Sequence, residues 1–203
     1  MIVLLRHAQT SGSKGRCIGR TAVPLSDKGL EQVNQLTETW RGIEFARLCT
    51  SPSQRAIDTV EPLAAMLEVV VERLPELDEI DMGAWDGLPF DSIRERFPHD
   101  YAERGRWFGG FRPPGGESFA DVADRALPVL VSLAKGPQPV LVSTHAGVIR
   151  SVLCRLTDHP MDDLFHFNPG YAHCTVLVPS DNGLELVATD IAPDMVRSFL
   201  CSS

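Results

Sequence analysis

The chain has 203 residues, 43% hydrophobic and 23% charged, the composition of a folded globular protein rather than a disordered one. Its 19 Lys and Arg against 27 Asp and Glu leave a formal charge of −8, which argues against a broad nucleic-acid or anionic-membrane footprint but leaves room for a small cationic pocket. The length fits one domain, whose core at this size needs no disulfide or metal staple.

Residues 1–5 are apolar, too short a run for a secretory segment, and no stretch approaches a membrane span. The cysteines (Cys17, Cys49, Cys154, Cys174, Cys201) are odd in number and scattered, without C-x-x-C, which points to reduced thiols and a cytoplasmic location. Residues 2–5 read as a fully buried strand. A helix is predicted over 26–41, with Ser26 as its start and Leu30, Val33, Leu36 and Trp40 at helical spacing. Residues 47–50 read as a second strand, 53–68 as a helix that Pro62 should kink, and 68–74 as a third strand stopped by Pro75.

Residues 76–117 form a Gly/Pro-rich excursion, read as a lid-like insertion with a helix over 90–104. Helical spacing returns over 118–133. A strand over 139–143 ends at Thr144-His145-Ala146-Gly147, followed by a helix over 148–156. Residues 174–179 and 184–189 make a hairpin around Asp181-Asn182-Gly183. Strand–helix alternation before a terminal hairpin implies one α/β domain over 1–203, with a mixed sheet.

Two of these strands end in histidine, at Arg6-His7 and Thr144-His145, and Arg55 opens the helix after a third. Open α/β sheets bind ligands at the carboxyl ends of their strands, and helix N-termini and arginine forks both suit phosphate oxygens. Each residue alone has a structural explanation. Together, two His, two Arg and the Thr10 hydroxyl at three strand ends would make an anion pocket.

These residues resemble a family. Arg6-His7-Ala8-Gln9-Thr10 is similar to the R-H-G-E-T motif of the histidine phosphatase superfamily, which includes phosphoglycerate mutases and many small phosphatases. Further matches follow in order: residues 19–29 to G-x-T-D-x-P-L-T-x-x-G, residues 51–59 to S-P-x-x-R-A-x-x-T, and residues 77–87 to L-x-E-x-x-x-G-x-W-E-G. Residues 114–118 then resemble P-x-G-E-S, and 143–148 resemble the S-H-G-G-V turn. The resemblance implies a phosphoglycerate mutase-like fold, a three-layer α/β/α sandwich with a mixed, mostly parallel sheet. It implies His7 as nucleophile and Glu79 as general acid and base. Arg6, Arg55 and His145 would surround the phosphoryl oxygens, with Thr10 and Ser13 as further substrate-binding positions. It implies no metal and no other cofactor, since two guanidiniums and an imidazolium can neutralise the transferred group.

The departures are Ala8 and Gln9 for Gly and Glu, Ser13 for Asn, Ala22 for Asp, and T-H-A for S-H-G at 144–146. They bear on substrate choice more than on chemistry, and Ala8 is compatible if its φ is negative. The short lid is closer to the small broad-specificity and alpha-ribazole phosphatases than to the longer mutases. The partner is then a small phosphomonoester rather than nucleic acid or membrane, and a homodimer is left open. Mutase-type phosphoryl transfer and a non-catalytic phosphate-binding module remain as alternatives. A metal-dependent hydrolase finds no zinc-type spacing among His99, His159, His166 and His173. In the lid two readings stay open: Arg104, Arg106 and Arg112 meet a second anionic group while Trp107, Phe108 and Phe111 stack on a substrate ring, or the aromatics cover the core edge and the arginines are solvated.

Overall fold

A computed structural model describes residues 1–181 and 183–200; Asn182 and Cys201 lie outside the described residues. Its centre is a six-stranded sheet in the order β3-β2-β4-β1-β5-β6. The strands are β1 (Ile2–Arg6), β2 (Arg47–Thr50), β3 (Val71–Arg73), β4 (Val140–Thr144), β5 (Cys174–Ser180) and β6 (Gly183–Ile191). β1, β2, β3 and β4 pair parallel, whereas β5 pairs antiparallel with β1 and with β6. The sheet is therefore mixed and mostly parallel, as expected.

Why β1 and β4 read as unbroken apolar runs is visible in their packing. Ile2, Leu4, Val140 and Val142 point to one face, against α5 (Phe119–Ala134) and α6 (Ala146–Leu156) through Val122, Ala126, Leu130 and Val152. Val3, Leu5, Leu48 and Leu141 point to the other, against α1 (Asp27–Thr39) and α2 (Gln54–Leu67) through Leu36, Val60 and Leu63. A strand covered on both faces has no polar side to show. The helix starts are chemically marked: Ser26 accepts the Gly29 N–H at 3.1 Å, and Ser118 forms a capping box with Asp121.

Several boundaries differ from expectation. The helix predicted over 90–104 is two, α3 (Phe90–Arg96) and α4 (Pro98–Arg104). Phe97 sits at φ −131, ψ 54, because a residue before proline is pushed out of the α region. The third strand is only Val71–Arg73, since Glu68 takes a left-handed φ of 55 to close α2. α2 itself runs on past Pro62. A short terminal helix, α7 (Val196–Leu200), was not anticipated. Cys17, Cys49, Cys154 and Cys174 are free and buried. Among the described residues no helix is long and apolar enough to cross a membrane.

Candidate active site

The parallel register sets the carboxyl ends of β1 and β4 side by side, with Arg6 opposite Thr144 and the His7 N–H donating to Thr144 O at 2.9 Å. β2 ends level with them, the Ser51 N–H donating to Ser143 O at 2.9 Å. This brings His7, Arg55 and His145, from three separate stretches of sequence, to one end of the sheet. The His7 and His145 rings lie 5.2 Å apart, edge to face.

His7 is 6% exposed, and its Nδ1 lies 2.8 Å from Ala8 O. A carbonyl only accepts, so Nδ1 carries the hydrogen and the lone pair is left on Nε2. Burial holds the His7 pKa well below the ordinary imidazole value, and the His145, Arg55 and Arg6 charges lower it further. The ring is thus neutral and nucleophilic near neutral pH. Ala8, absent from the residues with positive φ, has the backbone it needs. Its N–H donates to Thr59 Oγ1 at 2.9 Å, and Thr59 donates in turn to Arg55 O at 2.7 Å, tying β1 to α2 under the site.

Arg55 is 3% exposed and donates to Gly19 O at 2.7 Å and Thr21 O at 3.2 Å. Arg6 donates to Pro169 O at 2.8 Å while its guanidinium lies 3.6 Å above the Tyr171 ring. Burial disfavours both cations, and Glu79 is among the groups that oppose it for each. His145 is fully buried, with Nε2 2.7 Å from Ser51 Oγ and 3.5 Å from Asp78 Oδ1. Burial lowers the His145 pKa, the Asp78 hydrogen bond opposing. Burial acts to raise Asp78, but hydrogen bonds from His145, Ser53 and Ser51 outweigh it and keep this carboxylate ionised. Two buried nitrogens here have no hydrogen-bond partner among the described residues: Arg6 Nε, a donor, and His145 Nδ1, which donates only when the ring is protonated. Unsatisfied buried donors around a cationic spot suit an anion.

Glu79 is 8% exposed; its carboxylate accepts from the Ile80 N–H at 2.9 Å and the Gly147 N–H at 3.3 Å. Gly147, in the first turn of α6, is required for this approach, since a Cβ there would collide with Glu79 Oε1. Ser13 lines the cleft that opens outward from the site, while Thr10 is buried with its hydroxyl 3.5 Å from Ser13 Oγ.

That cleft, near 290 Å³, also brings in Arg6, Glu79, Arg104, Phe108, Arg150 and Tyr171. A larger depression of about 500 Å³ is lined by Arg20, Ser53, Arg55 and Asp78 among others. The expected lid contacts divide. Arg104 and Phe108 line the cleft, the guanidinium 4.3 Å from the ring. Phe111 does not: it is 8% exposed and packs 5.2 Å from Trp85 in a small core with Cys17 and Ile93. Arg112 is spent on a two-bond pair with Asp121, and neither Trp107 nor Arg106 lines the cleft. An apolar core inside the excursion took the aromatic that a ring-stacking role required.

Sequence reasoning missed the opposite wall. Arg150 donates to Phe167 O at 2.9 Å and Asn168 Oδ1 at 3.2 Å, with its guanidinium 4.8 Å from the Phe165 ring. Tyr171 also stands 5.6 Å from His7. Arg150 lies one turn beyond Ala146 on α6, a helical spacing that could have found it; Tyr171 carried no such signal.

The sequence profile of the Histidine phosphatase superfamily (branch 1) matches residues 2–191. The 6-phosphofructo-2-kinase/fructose-2,6-bisphosphatase of Gallus gallus is 32% identical over 166 residues, 80% of this chain, which spans 34% of that protein. For the Arabidopsis thaliana enzyme of the same name the chain spans 22% of the length, at 28% identity. A 2,3-bisphosphoglycerate-dependent phosphoglycerate mutase of Rhizobium etli is 32% identical, with 74% of this chain and 77% of the mutase aligned. Among solved structures, a mycobacterial glucosyl-3-phosphoglycerate phosphatase in complex with VO3 is 28% identical, has a TM-score of 0.80, and overlaps 94% of this chain and 98% of its own. The alpha-ribazole phosphatase of Shigella flexneri shares the fold, with a TM-score of 0.83 at 22% identity over 93% and 95% of the two chains.

Proposed function

Because the chain belongs to the histidine phosphatase superfamily, we propose that it is a phosphatase that hydrolyses a small phosphomonoester through a phosphohistidine on His7. The observation that carries this reading is the state of His7: buried, neutral, with Nδ1 occupied by Ala8 O and Nε2 free to attack. In the first step Nε2 forms a bond to phosphorus as the ester P–O bond breaks, and Glu79 delivers its proton to the leaving oxygen. In the second, water attacks phosphorus, the Glu79 carboxylate takes the water's proton, and the P–N bond breaks. Inorganic phosphate leaves and His7 returns to the neutral state. Arg6, Arg55 and His145 supply donors to the equatorial oxygens throughout, so positioning and charge stabilisation account for catalysis without a metal ion. Thr10 and Ser13 shape the entrance.

The substrate class follows from the outer cleft. Arg104 and Arg150 flank the Phe108 and Phe165 rings, which lie 5.3 Å apart, and among the described residues neither arginine forms a close ion pair with a carboxylate. A phosphate ester carrying a second anionic group would satisfy both. Fructose-2,6-bisphosphate, a bisphosphoglycerate and a glucosyl phosphoglycerate, the compounds in the relatives' names, share that feature. Stacking of a substrate ring on the lid aromatics has less support, since Phe111 is in the core. The Rhizobium etli relative keeps a mutase reading in play.

The test is phosphate release from a panel of phosphomonoesters in EDTA, with His7→Ala beside the native protein. The variant should lose at least about four orders of magnitude in kcat, and the native protein should show an acid-labile phosphoenzyme. Isomerisation of a phosphoglycerate without net phosphate release would replace hydrolysis by mutase chemistry. Unchanged turnover in His7→Ala would remove the site.

A further inference from the structure

Beyond α6 the chain forms a strap, residues 157–173, that supplies the missed wall of the cleft. Its middle is a 3₁₀ segment, Met161–His166, kinked at Asp163 (φ −109, ψ 31). Against the expectation that no zinc-type set exists among the outlying histidines, the kink gathers His159, Asp163 and His166. One donor atom from each lies within 4.8 Å of the other two. His159 Nε2 is 3.0 Å from Asp163 Oδ2, and the His159 and His166 rings are 4.5 Å apart.

The rings are held in place from beneath. Phe167, 7% exposed, meets His159 edge-on at 5.5 Å and His166 at 5.0 Å. The His159 N–H donates to Cys154 O at 3.0 Å, fixing the backbone at the other end. Donors bonded to a tetrahedral ion at about 2.0–2.2 Å stand roughly 3.3–3.6 Å apart. Closing from the present spacing takes only rotation of the exposed Asp163 and His166 side chains. Two imidazoles and one carboxylate suit zinc and its neighbours in the first transition row rather than magnesium or calcium, and leave a fourth position for water.

The geometry points to a zinc-class divalent metal site formed by His159, Asp163 and His166, separate from the phosphoryl site, that steadies the strap. The next residues along the strap show what steadying would reach: Phe167 O and Asn168 Oδ1 hold Arg150, and Pro169 O holds Arg6. The ion takes no part in bond making, so phosphate release persists in EDTA under this assignment.

The experiment is a Zn²⁺ titration of the full chain against a chromophoric chelator, with amide hydrogen exchange before and after addition. One equivalent should bind, at least about tenfold more weakly in Asp163→Asn and in His166→Ala. Affinity should be unchanged in His7→Ala, which disables the phosphoryl site, and in His99→Ala, which disables an exposed His-Asp-Glu cluster. Exchange over residues 161–170 should slow on binding, and circular dichroism of the two ligand variants should match the native protein. No bound equivalent, or one that survives in both ligand variants, overturns the site; loss in His7→Ala would reassign the ion to the phosphoryl pocket.

Discussion

On the sheet side of the cleft, His7, Arg55, Glu79 and His145 are all 8% exposed or less, and most of their polar atoms are committed to backbone or to a buried hydroxyl. On the outer side, Arg104 rests on the Phe108 ring and Arg150 on the Phe165 ring, Phe167 O and Asn168 Oδ1, and neither forms a close ion pair among the described residues. In the first wall His7 and His145 directly follow paired strands, Arg55 opens α2 just after β2, and Glu79, though in the excursion, is pinned to the Gly147 amide at the start of α6. In the second, Arg104 ends α4 of the excursion, and Arg150, on α6, is held by the strap through Phe167 O and Asn168 Oδ1. On the proposed reading, chemistry falls where geometry is over-determined and selectivity on side chains outside the core.

The largest expected effect separates structure from selectivity within the outer wall. Phe111→Ala should cost about 3–5 kcal/mol of stability, because it empties a buried aromatic contact with Trp85. Trp107→Ala, at a site 57% exposed, should leave the melting temperature within error. Thermal unfolding of the two variants checks this; equal losses would mean that the excursion has no core of its own. Next is Gly147→Ala, which touches the sheet side alone. Its Cβ displaces the Glu79 carboxylate, so kcat should fall about 10²–10³-fold with the far-ultraviolet dichroism unchanged. A kcat within a factor of about three of native would show that Glu79 is not the proton carrier.

A smaller effect sharpens the outer side. Arg104→Gln should lower kcat/KM about tenfold for a phosphate ester with a second anionic group, the worth of one charge-assisted hydrogen bond. The same variant should leave the ester of a neutral alcohol unaltered. Equal losses on both esters would make Arg104 a wall residue and nothing more.

How much of this was readable from sequence follows the same division. β1, β2 and β4 announce themselves because burial on both faces leaves short runs with no polar alternation, and His7, Arg55 and His145 sit at or just beyond their ends. The outer wall depends on contacts that no local pattern encodes. Whether Phe111 or Trp107 enters the core is decided by Trp85, at the other end of the excursion. Tyr171 reaches Arg6 because β5 pairs antiparallel with β1, which places His173 O against the Arg6 N–H at 3.1 Å. The single helix expected over 90–104 runs through Pro98, where the structure breaks it in two. His159, Asp163 and His166 stand at i, i+4 and i+7 and meet around the 3₁₀ segment.

The smallest effect returns to the buried side and concerns pH. Burial lowers the pKa of His7 and of His145 in the folded chain, whereas an unfolded chain titrates its histidines near about 6.5. Between that value and the folded pKa the unfolded state binds more protons, so stability rises with pH across the window and is lost on acidification. The slope contributed by each such histidine is at most about 1.4 kcal/mol per pH unit. Asp78, held ionised by its hydrogen bonds, adds its own loss only once pH falls below about 4, where the unfolded carboxylate gains its proton. Denaturant midpoints measured from pH 7 to pH 5 should therefore fall for the native protein and fall less steeply for His7→Ala. Parallel curves would mean that His7 accepts a proton in the folded chain as readily as in the unfolded one. The same low pKa should keep the acidic limb of kcat/KM below the ordinary imidazole range, so stability rather than nucleophile protonation would limit the enzyme in mild acid.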